Sequence, residues 1–494
     1  MNMRLTGAVV FAGLSAISVA SIAQDIPAPP GRSVEYSPYP DQNFPNRVLF
    51  GDTHLHTTYS TDAGLVGATL SPTDAYRFAK GETVISSGGI RARLARPLDF
   101  LVISDHSENL GLAPAIAESN ETLLSSEWGK AIYDIAIQGT AESMADAYDM
   151  WLEKLNSQDD PLAELESLRI AMWDRLTQAA EDHNSPGSFT ALIGFEWTLA
   201  PNGNNLHRNV IFRDGKEKAD TIVPVSAYDF QDPRKLWDWM AAYEKRTGGR
   251  VMAIPHGGNL SNGLMFDSVM LVGGRPISAD YARRRMKWEP VYEVTQMKGD
   301  GEAHPFLSAD DEFADFETWD KGSFGPELKT SDMLPREYVR KAYKRGLAFD
   351  AELGSNPFKF GLIGSTDSHT GLSTAEPDNF FGKVSLLEPS DDPLRFEEII
   401  AGRSAENPAD RIDAAMTAAS GLAAVWSREN SREAIWDALE RREVYATTGT
   451  RLRVRVFGGT GFSKDDLDRS DFARHGYANG VPMGGDLAYS DKAP

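Results

Sequence analysis

The chain has 494 residues, no cysteine and a formal charge of −22 at pH 7. The missing cysteine excludes disulfides, thiolate zinc sites and thiol nucleophiles, so any bound metal must be held by His, Asp and Glu, donors suited to Zn, Mn or Fe. The acidic balance excludes nucleic acid and anionic membrane as natural partners, and an anionic substrate would need local positive charge such as bound cations.

The first 23 residues have a positive start at Arg4, an apolar run (LTGAVVFAGLSAISVA) and a small-x-small end at Ser21-Ile22-Ala23. This is the pattern of a cleavable signal peptide, and a periplasmic location follows from it as an expectation. The run is too short and too rich in Gly, Ala and Ser to span a bilayer comfortably, and no later stretch reaches spanning length. Residues 24–45 are Pro-rich and polar, an extended lead-in.

From residue 46 onward a unit recurs: a short apolar run that ends in His, Asp or Glu. RVLFGDTHLH closes on His54 and His56, LDFLVISDH on Asp105 and His106, and SFTALIGFEW reaches Glu196. RVMAIPH ends in His256, PVYEVTQ carries Glu293, and FKFGLIGSTDSH ends in Asp367 and His369. Runs of this length between Gly, Pro and polar residues fit buried parallel strands.

Helical patterns lie between them. GTAESMADAYDMWLEKLN is one; DPLAELESLRIAMWDRLTQAAEDH starts on Asp160 as N-cap with Pro161 at the first helical position. DPRKLWDWMAAYEKRTGG repeats that start at Asp232 and Pro233 and ends on Gly248, and SREAIWDALERREVYATTG reads as a late helix followed by a strand. Alternation of strand and helix means α/β, with chemistry at strand ends, and 46–450 reads as one large barrel. Stretches 107–187 and 260–355 exceed ordinary connections and read as helical or loop insertions around the site mouth. Residues 451–494 read as irregular or short-stranded material.

Nine histidines are present. His475 reads as a solvated loop residue, His183 as a C-terminal helix residue facing the dipole, and His304 as a loop residue. The other six, His54, His56, His106, His207, His256 and His369, sit at or just past apolar runs together with Asp105, Glu196 and Asp367. Burying so many ionisable groups together costs several kcal/mol unless they are paired or bind metal, and metal is the economical answer.

The ordered set (His-x-His on the first strand, Asp-His on the next, an isolated Glu, two separated His, a closing Asp-x-His in IGSTDSHTG) resembles the PHP (polymerase and histidinol phosphatase) superfamily over residues 47–370. Within it the chain is similar to a large, exported, long-insertion subgroup of poorly defined substrate. Its members usually continue into further β-rich sequence, so the stop at Pro494 reads as a shorter variant or a truncation. The resemblance implies a distorted (β/α)7 barrel holding two or three divalent transition metals (Mn, Zn or Fe). It implies a first metal on His54, His56 and Asp367, with Glu196 bridging to a second on His207 and His256, and a third on Asp62, His106 and His369. Asp62 stands where some members have His. The resemblance makes Asp105 a supporting group or proton donor, with Glu196 and His106 also in the catalytic set and Glu293 the second late acidic residue.

The function so implied is a phosphoesterase that uses a metal-bound hydroxide on small organic phosphate esters. Diesters are expected over monoesters, because few fixed cations beyond Arg208 and Lys298, the two candidate substrate-binding residues, adjoin the motifs. An amidohydrolase-like hydrolase is the competing enzyme class, weakened by the absence of a strand-end lysine. Metal storage is the non-catalytic alternative.

Overall fold

The structure, a computed structural model, describes residues 43–396, 399–401, 411–418 and 420–488. The signal segment 1–23 and the lead-in as far as residue 42 lie outside the described residues.

The strands that position the site are β1 (Arg47–Asp52), β2 (Phe100–Ile103), β3 (Thr190–Trp197), β4 (Arg208–Phe212), β5 (Val251–Pro255), β6 (Val291–Gln296), β7 (Gly361–Gly364), β8 (Ala423–Ser427) and β9 (Val444–Ala446). Seven of them form one curled sheet in the order β9-β8-β1-β2-β3-β4-β5, while β6 and β7 pair in a second. A single parallel bridge, His256 to Glu293, ties the exit of β5 to β6, and another, Leu55 to Ser368, ties the exit of β1 to that of β7. The result is an α/β half-barrel drawn toward closure by isolated bridges.

The sheet is mixed, not wholly parallel as the apolar runs imply. β1–β2, β2–β3 and β6–β7 are parallel, but β3–β4 and β4–β5 are antiparallel, as are β1–β8 and β8–β9. The reason for β4 is the connection 198–207, too short for the helical crossover a parallel neighbour requires. Successive strand residues go to opposite cores. Leu49, Phe100, Val102, Leu192, Ile211, Met252 and Ile254 pack with Ile435, Trp436 and Leu439 of helix Arg432–Glu440. Phe50, Leu101, Ile103, Ile193, Val210 and Ala253 join the larger cluster shared with the surrounding helices. Burial on both faces is why these strands show no polar alternation.

Between β2 and β3 lie five helices, among them Ala141–Ser157 and Glu166–His183. The latter begins at Glu166, not after Asp160, because Asp160 Oδ1 instead accepts from Leu162 N (3.0 Å) and Asn109 Nδ2 (2.9 Å) and closes a turn. Helix Pro233–Thr247 has the expected start, with Asp232 accepting from Arg234 N, and ends on Gly248 in the left-handed region (φ 64°). In the 260–355 stretch, β6 lies between helices Ala279–Trp288 and Val339–Leu353. Near the C-terminus, Phe457–Gly458 pairs with Val481–Pro482 around helix Phe472–Asn479. His475 is therefore helical, paired with Asp466 at 3.0 Å, rather than a loop residue. Among the described residues no helix is long and apolar enough to cross a membrane.

Candidate metal centre

The exits of β1, β2, β3 and β5 deliver His54 and His56, His106, Glu196 and His256 to one edge of the sheet. Because β4 runs the other way, it starts at that edge, and His207 immediately precedes it. The segment after β1 lies along the segment after β7: Asp367 N donates to His54 O (2.8 Å), His56 N to Ser368 O (2.9 Å) and Gly371 N to His56 O (3.0 Å). Buried Asp52 staples the two segments, accepting from His54 N (3.0 Å), Thr366 N (3.1 Å), Thr366 Oγ1 (2.6 Å) and Ser373 Oγ (2.6 Å). Asp367 is held at φ 53°, a left-handed conformation that a non-glycine residue keeps only where its surroundings over-determine it.

Carboxylate and hydroxyl partners set which ring nitrogen carries the proton when an imidazole is neutral. The Glu293 carboxylate lies 3.0 and 3.1 Å from His54 Nδ1, so a neutral His54 carries its proton there and presents Nε2 as a lone pair. Ser60 Oγ gives its proton to Asp62 Oδ1 (2.8 Å) and accepts from His56 Nδ1 (2.9 Å), which leaves His56 Nε2 bare as well. The two Nε2 atoms are 3.1 Å apart. Glu196 Oε2 stands 3.2 and 3.1 Å from them, and Asp367 Oδ1 3.4 Å from each. With both imidazoles neutral, four electron-pair donors face one another, and positive charge, a metal ion or a proton on His54, answers that arrangement.

The other oxygen of Glu196 looks elsewhere: Oε1 lies 2.7 Å from His207 Nδ1 and 2.8 Å from His256 Nε2, while His256 Nδ1 is buried without a hydrogen-bond partner. A third grouping has Asp62 Oδ2 2.8 Å from His369 Nε2 and 3.2 Å from His106 Nε2. Ligand atoms fall within 4.8 Å of one another in four sets: His56/Asp62/His106/His369, His54/His56/Asp367, His54/His256/Glu293 and His106/Glu196/His207. The donor set therefore fits more than one divalent ion, with His56 added to the Asp62 set and Glu293 entering with His54 and His256.

The electrostatics prepare these groups as ligands. Burial raises the carboxyls of Glu196, Asp62 and Asp367, but neighbouring charges prevail and hold all three well below the usual range: His106 at Glu196 and at Asp62, His54 and Lys298 at Asp367. Burial pushes His207 and His369 down to about 3 and also lowers His256, so these imidazoles are neutral, the form that binds metal. At His54 burial is outweighed by Asp367, Glu293 and Glu196, which raise it well above the ordinary value. That point in the pocket demands positive charge.

Other residues singled out in the sequence lie around this core. Asp105 is buried, with its two oxygens engaged by Thr57 N (2.6 Å) and Thr57 Oγ1 (2.7 Å), and burial pushes its carboxyl up to about 6. It belongs to none of the ligand sets and holds the turn that follows His56. Arg208 is turned away from the centre and paired with Glu289 (3.3 Å), which also binds Arg285 (3.0 Å) and Trp237 (3.0 Å). Lys298, by contrast, reaches Asp367 Oδ2 at 2.5 Å. His304 is buried against Asp320 (3.0 Å), and His183 ends its helix beside Lys80 (2.9 Å).

Sequence reasoning misses Lys383, whose ammonium lies 2.8 Å from Asp367 Oδ1 and 2.6 Å from His369 Nδ1 and also binds Asp367 O. It follows no apolar run, so nothing in its neighbourhood signals it. Asp52 and Glu108 are missed too. Glu108 accepts from Ala227 N (2.6 Å) and from Thr198, whose hydroxyl also meets His106 Nδ1 at 2.5 Å.

No curated protein matches the chain. Among solved structures, a two-domain protein containing a predicted PHP-like metal-dependent phosphoesterase, from Bacteroides vulgatus, is similar at 11% identity and a TM-score of 0.31. That alignment covers 81% of this chain and 64% of the other, so the chain spans less than two thirds of that protein's length. A family model matches residues 43–494, and on that match the chain belongs to the family described as Protein of unknown function (DUF3604).

Proposed function

We propose that the protein is a metal-dependent phosphoesterase of the PHP type, on a distorted (β/α)7 barrel and exported to the periplasm by residues 1–23. The observation that supports it most is the placement of Glu196, whose two oxygens face different histidine pairs, His54/His56 and His207/His256. A carboxylate so placed suits two cations about one carboxylate apart, the arrangement that serves displacement at phosphorus. His54, His56 and Asp367 would hold one ion, His207 and His256 a second across Glu196, and Asp62, His106 and His369 a third. Mn, Zn and Fe suit these donors.

Bound ions would supply Lewis acidity, lowering the pKa of a water and offsetting phosphoryl charge. The chain's own residues do the rest. Glu293 and Ser60 hold the protons of His54 and His56 away from the centre, Asp52 and Asp105 fix the loops that carry them, and Lys298 presents an ammonium beside Asp367 for a phosphoryl oxygen. The expected preference for diesters over monoesters rests on a scarcity of fixed cations. Lys383 joins Lys298 at Asp367 while Arg208 is turned away, so the number of nearby cations does not decide the ester class, and the proposal covers phosphate esters of both kinds. An amidohydrolase-like reading would use a lysine as a metal bridge. Lys298 is instead a charged partner of Asp367: burial lowers its pKa, but Asp367 and Glu196 raise it further.

The test is metal analysis of the purified protein together with turnover of phosphate mono-, di- and triesters after loading with Mn or Zn. Hydrolysis of at least one ester class that disappears with chelator is the expected result. A metal-loaded protein inert to all three classes overturns the proposal.

A further inference from the structure

Lys298 and Lys383 both face Asp367, but their donors are used differently. Lys383 donates to Asp367 O and Asp367 Oδ1 and also lies against His369 Nδ1 (2.6 Å). Lys298 is buried (8% exposed) and, among the described residues, has one carboxylate partner, Asp367 Oδ2. An ammonium has three N–H groups, so this ion pair does not exhaust its donors. The centroid of the Phe324 ring lies 5.5 Å from this ammonium.

Phe324 is 44% exposed, and single exposed aromatics are common; Phe306, Phe313 and Phe316 in the same stretch are exposed too. Two features set Phe324 apart. Its ring stands next to a cation that itself touches a ligand residue. Its backbone is also clamped: Phe324 N donates to Gly203 O (3.1 Å), and Ser323 Oγ accepts from Gly325 N (3.1 Å). A Cβ on Gly325 would lie 1.8 Å from Asn202 O, and one on Gly203 would lie 2.2 Å from Gly325 N, so the contact of the two chain segments is backbone on backbone. The segment 201–204 leads directly to His207. The backbone that carries the ring is thus tied to the segment that leads to His207, and the side chain stays partly exposed.

We propose that Phe324 and Lys298 form the leaving-group side of the substrate site and select phosphate esters of planar, apolar alcohols, aryl esters above all. The inference rests on the phosphoesterase reading. Lys298 donates to a non-bridging phosphoryl oxygen while the ring packs on the leaving group. In hydrolysis the water oxygen bonds to phosphorus, the bond from phosphorus to the aryl oxygen breaks, and the phenol leaves with a proton from that water. An aromatic pair adds about 1 kcal/mol beyond simple burial, roughly fivefold in binding.

The experiment compares wild type, Phe324→Ala and Phe324→Trp, all metal-loaded, with phenyl and methyl phosphate as substrates. Binding of phenylphosphonate and methylphosphonate, read by calorimetry, supplies a measurement independent of turnover. Phe324→Ala is expected to lower kcat/KM for phenyl phosphate, and affinity for phenylphosphonate, about fivefold more than for the methyl compounds, and Phe324→Trp to restore the difference. Equal losses for phenyl and methyl compounds, or equal affinity of wild type for both phosphonates, overturn the inference and leave the phosphoesterase reading standing. Neither turnover nor phosphonate binding by wild type overturns both.

Discussion

Ser60 Oγ lies 2.9 Å from His56 Nδ1 and decides what that imidazole can do. Its own proton goes to Asp62, so it accepts from the ring and turns the bare Nε2 toward Glu196 and Asp367. Ser60→Ala removes that control without removing a ligand. Metal affinity is expected to fall about 10–100-fold, as for other supporting partners of ligand histidines, and Ser60→Thr is expected to recover most of it. Competition with a chelating dye measures both. Unchanged affinity in Ser60→Ala would show that packing alone orients His56.

Glu196→Gln is expected to damage catalysis more than His106→Ala. The glutamine loses the charge and one of two oxygen donors that face His54/His56 and His207/His256, so two ions are weakened together. His106 serves the groupings with Asp62 and with Glu196 and His207, but its removal leaves both Glu196 oxygens and the His54/His56 and His207/His256 pairs in place. The comparison is kcat/KM with metal content for each variant; near wild-type turnover in Glu196→Gln contradicts the bridging role.

Chelation should act on stability as well as on activity. Binding to the native state alone stabilises it, by about 2.7 kcal/mol at a hundredfold excess of ligand over Kd. The chelated protein is therefore expected to melt several degrees lower and to recover on addition of Mn or Zn. A melting temperature indifferent to chelator and metal would show that the histidines bind none.

Arg208→Ala is expected to be a stability variant. The guanidinium is buried on Glu289, which it shares with Arg285 and Trp237, and breaking a buried pair costs about 3 kcal/mol or more. Denaturant unfolding reads that loss, while KM for a phosphate ester is expected to hold. A raised KM with unchanged stability would restore Arg208 to the substrate site.

Asp300 carries a pH dependence that can be separated from the metal centre. Burial pushes its carboxyl up to about 6 from an ordinary 3.8, so the folded state favours the protonated form. The cost is absent below pH 3.8, grows as pH rises toward 6 and is fully present above it; two units correspond to about 3 kcal/mol at most. Asp300→Asn keeps an acceptor for Glu302 N (2.8 Å) and is expected to be more stable than wild type at pH 8 and little different at pH 4. Equal effects at both pH values contradict this.

Much of the centre is legible in the sequence, because a buried strand that stops on His, Asp or Glu advertises itself. His54, His56, His256, Asp367 and His369 all announce themselves in this way. β4 does not, since its ligand precedes its apolar run and marks an entry rather than an exit. Arg208 misleads because it adjoins His207, yet neighbours on a strand face opposite ways, and alternation alone would have turned it from the site. Ser60, Asp52 and Lys383 are of common residue types at unremarkable positions. Their roles arise from contacts across 4 to 321 residues of sequence that only the folded chain supplies.

The single bridges that draw the half-barrel toward closure occur at or beside candidate ligand residues: His256 to Glu293, and Leu55, between His54 and His56, to Ser368, between Asp367 and His369; a third, His106 to Glu196, extends the β2–β3 pair to the same edge. Ions seated there would act as rivets along the seams of the sheet. Metal uptake would then be felt mechanically far beyond the ligands, with amide hydrogens along the exits of β1, β5 and β7 exchanging more slowly as the seams are pinned.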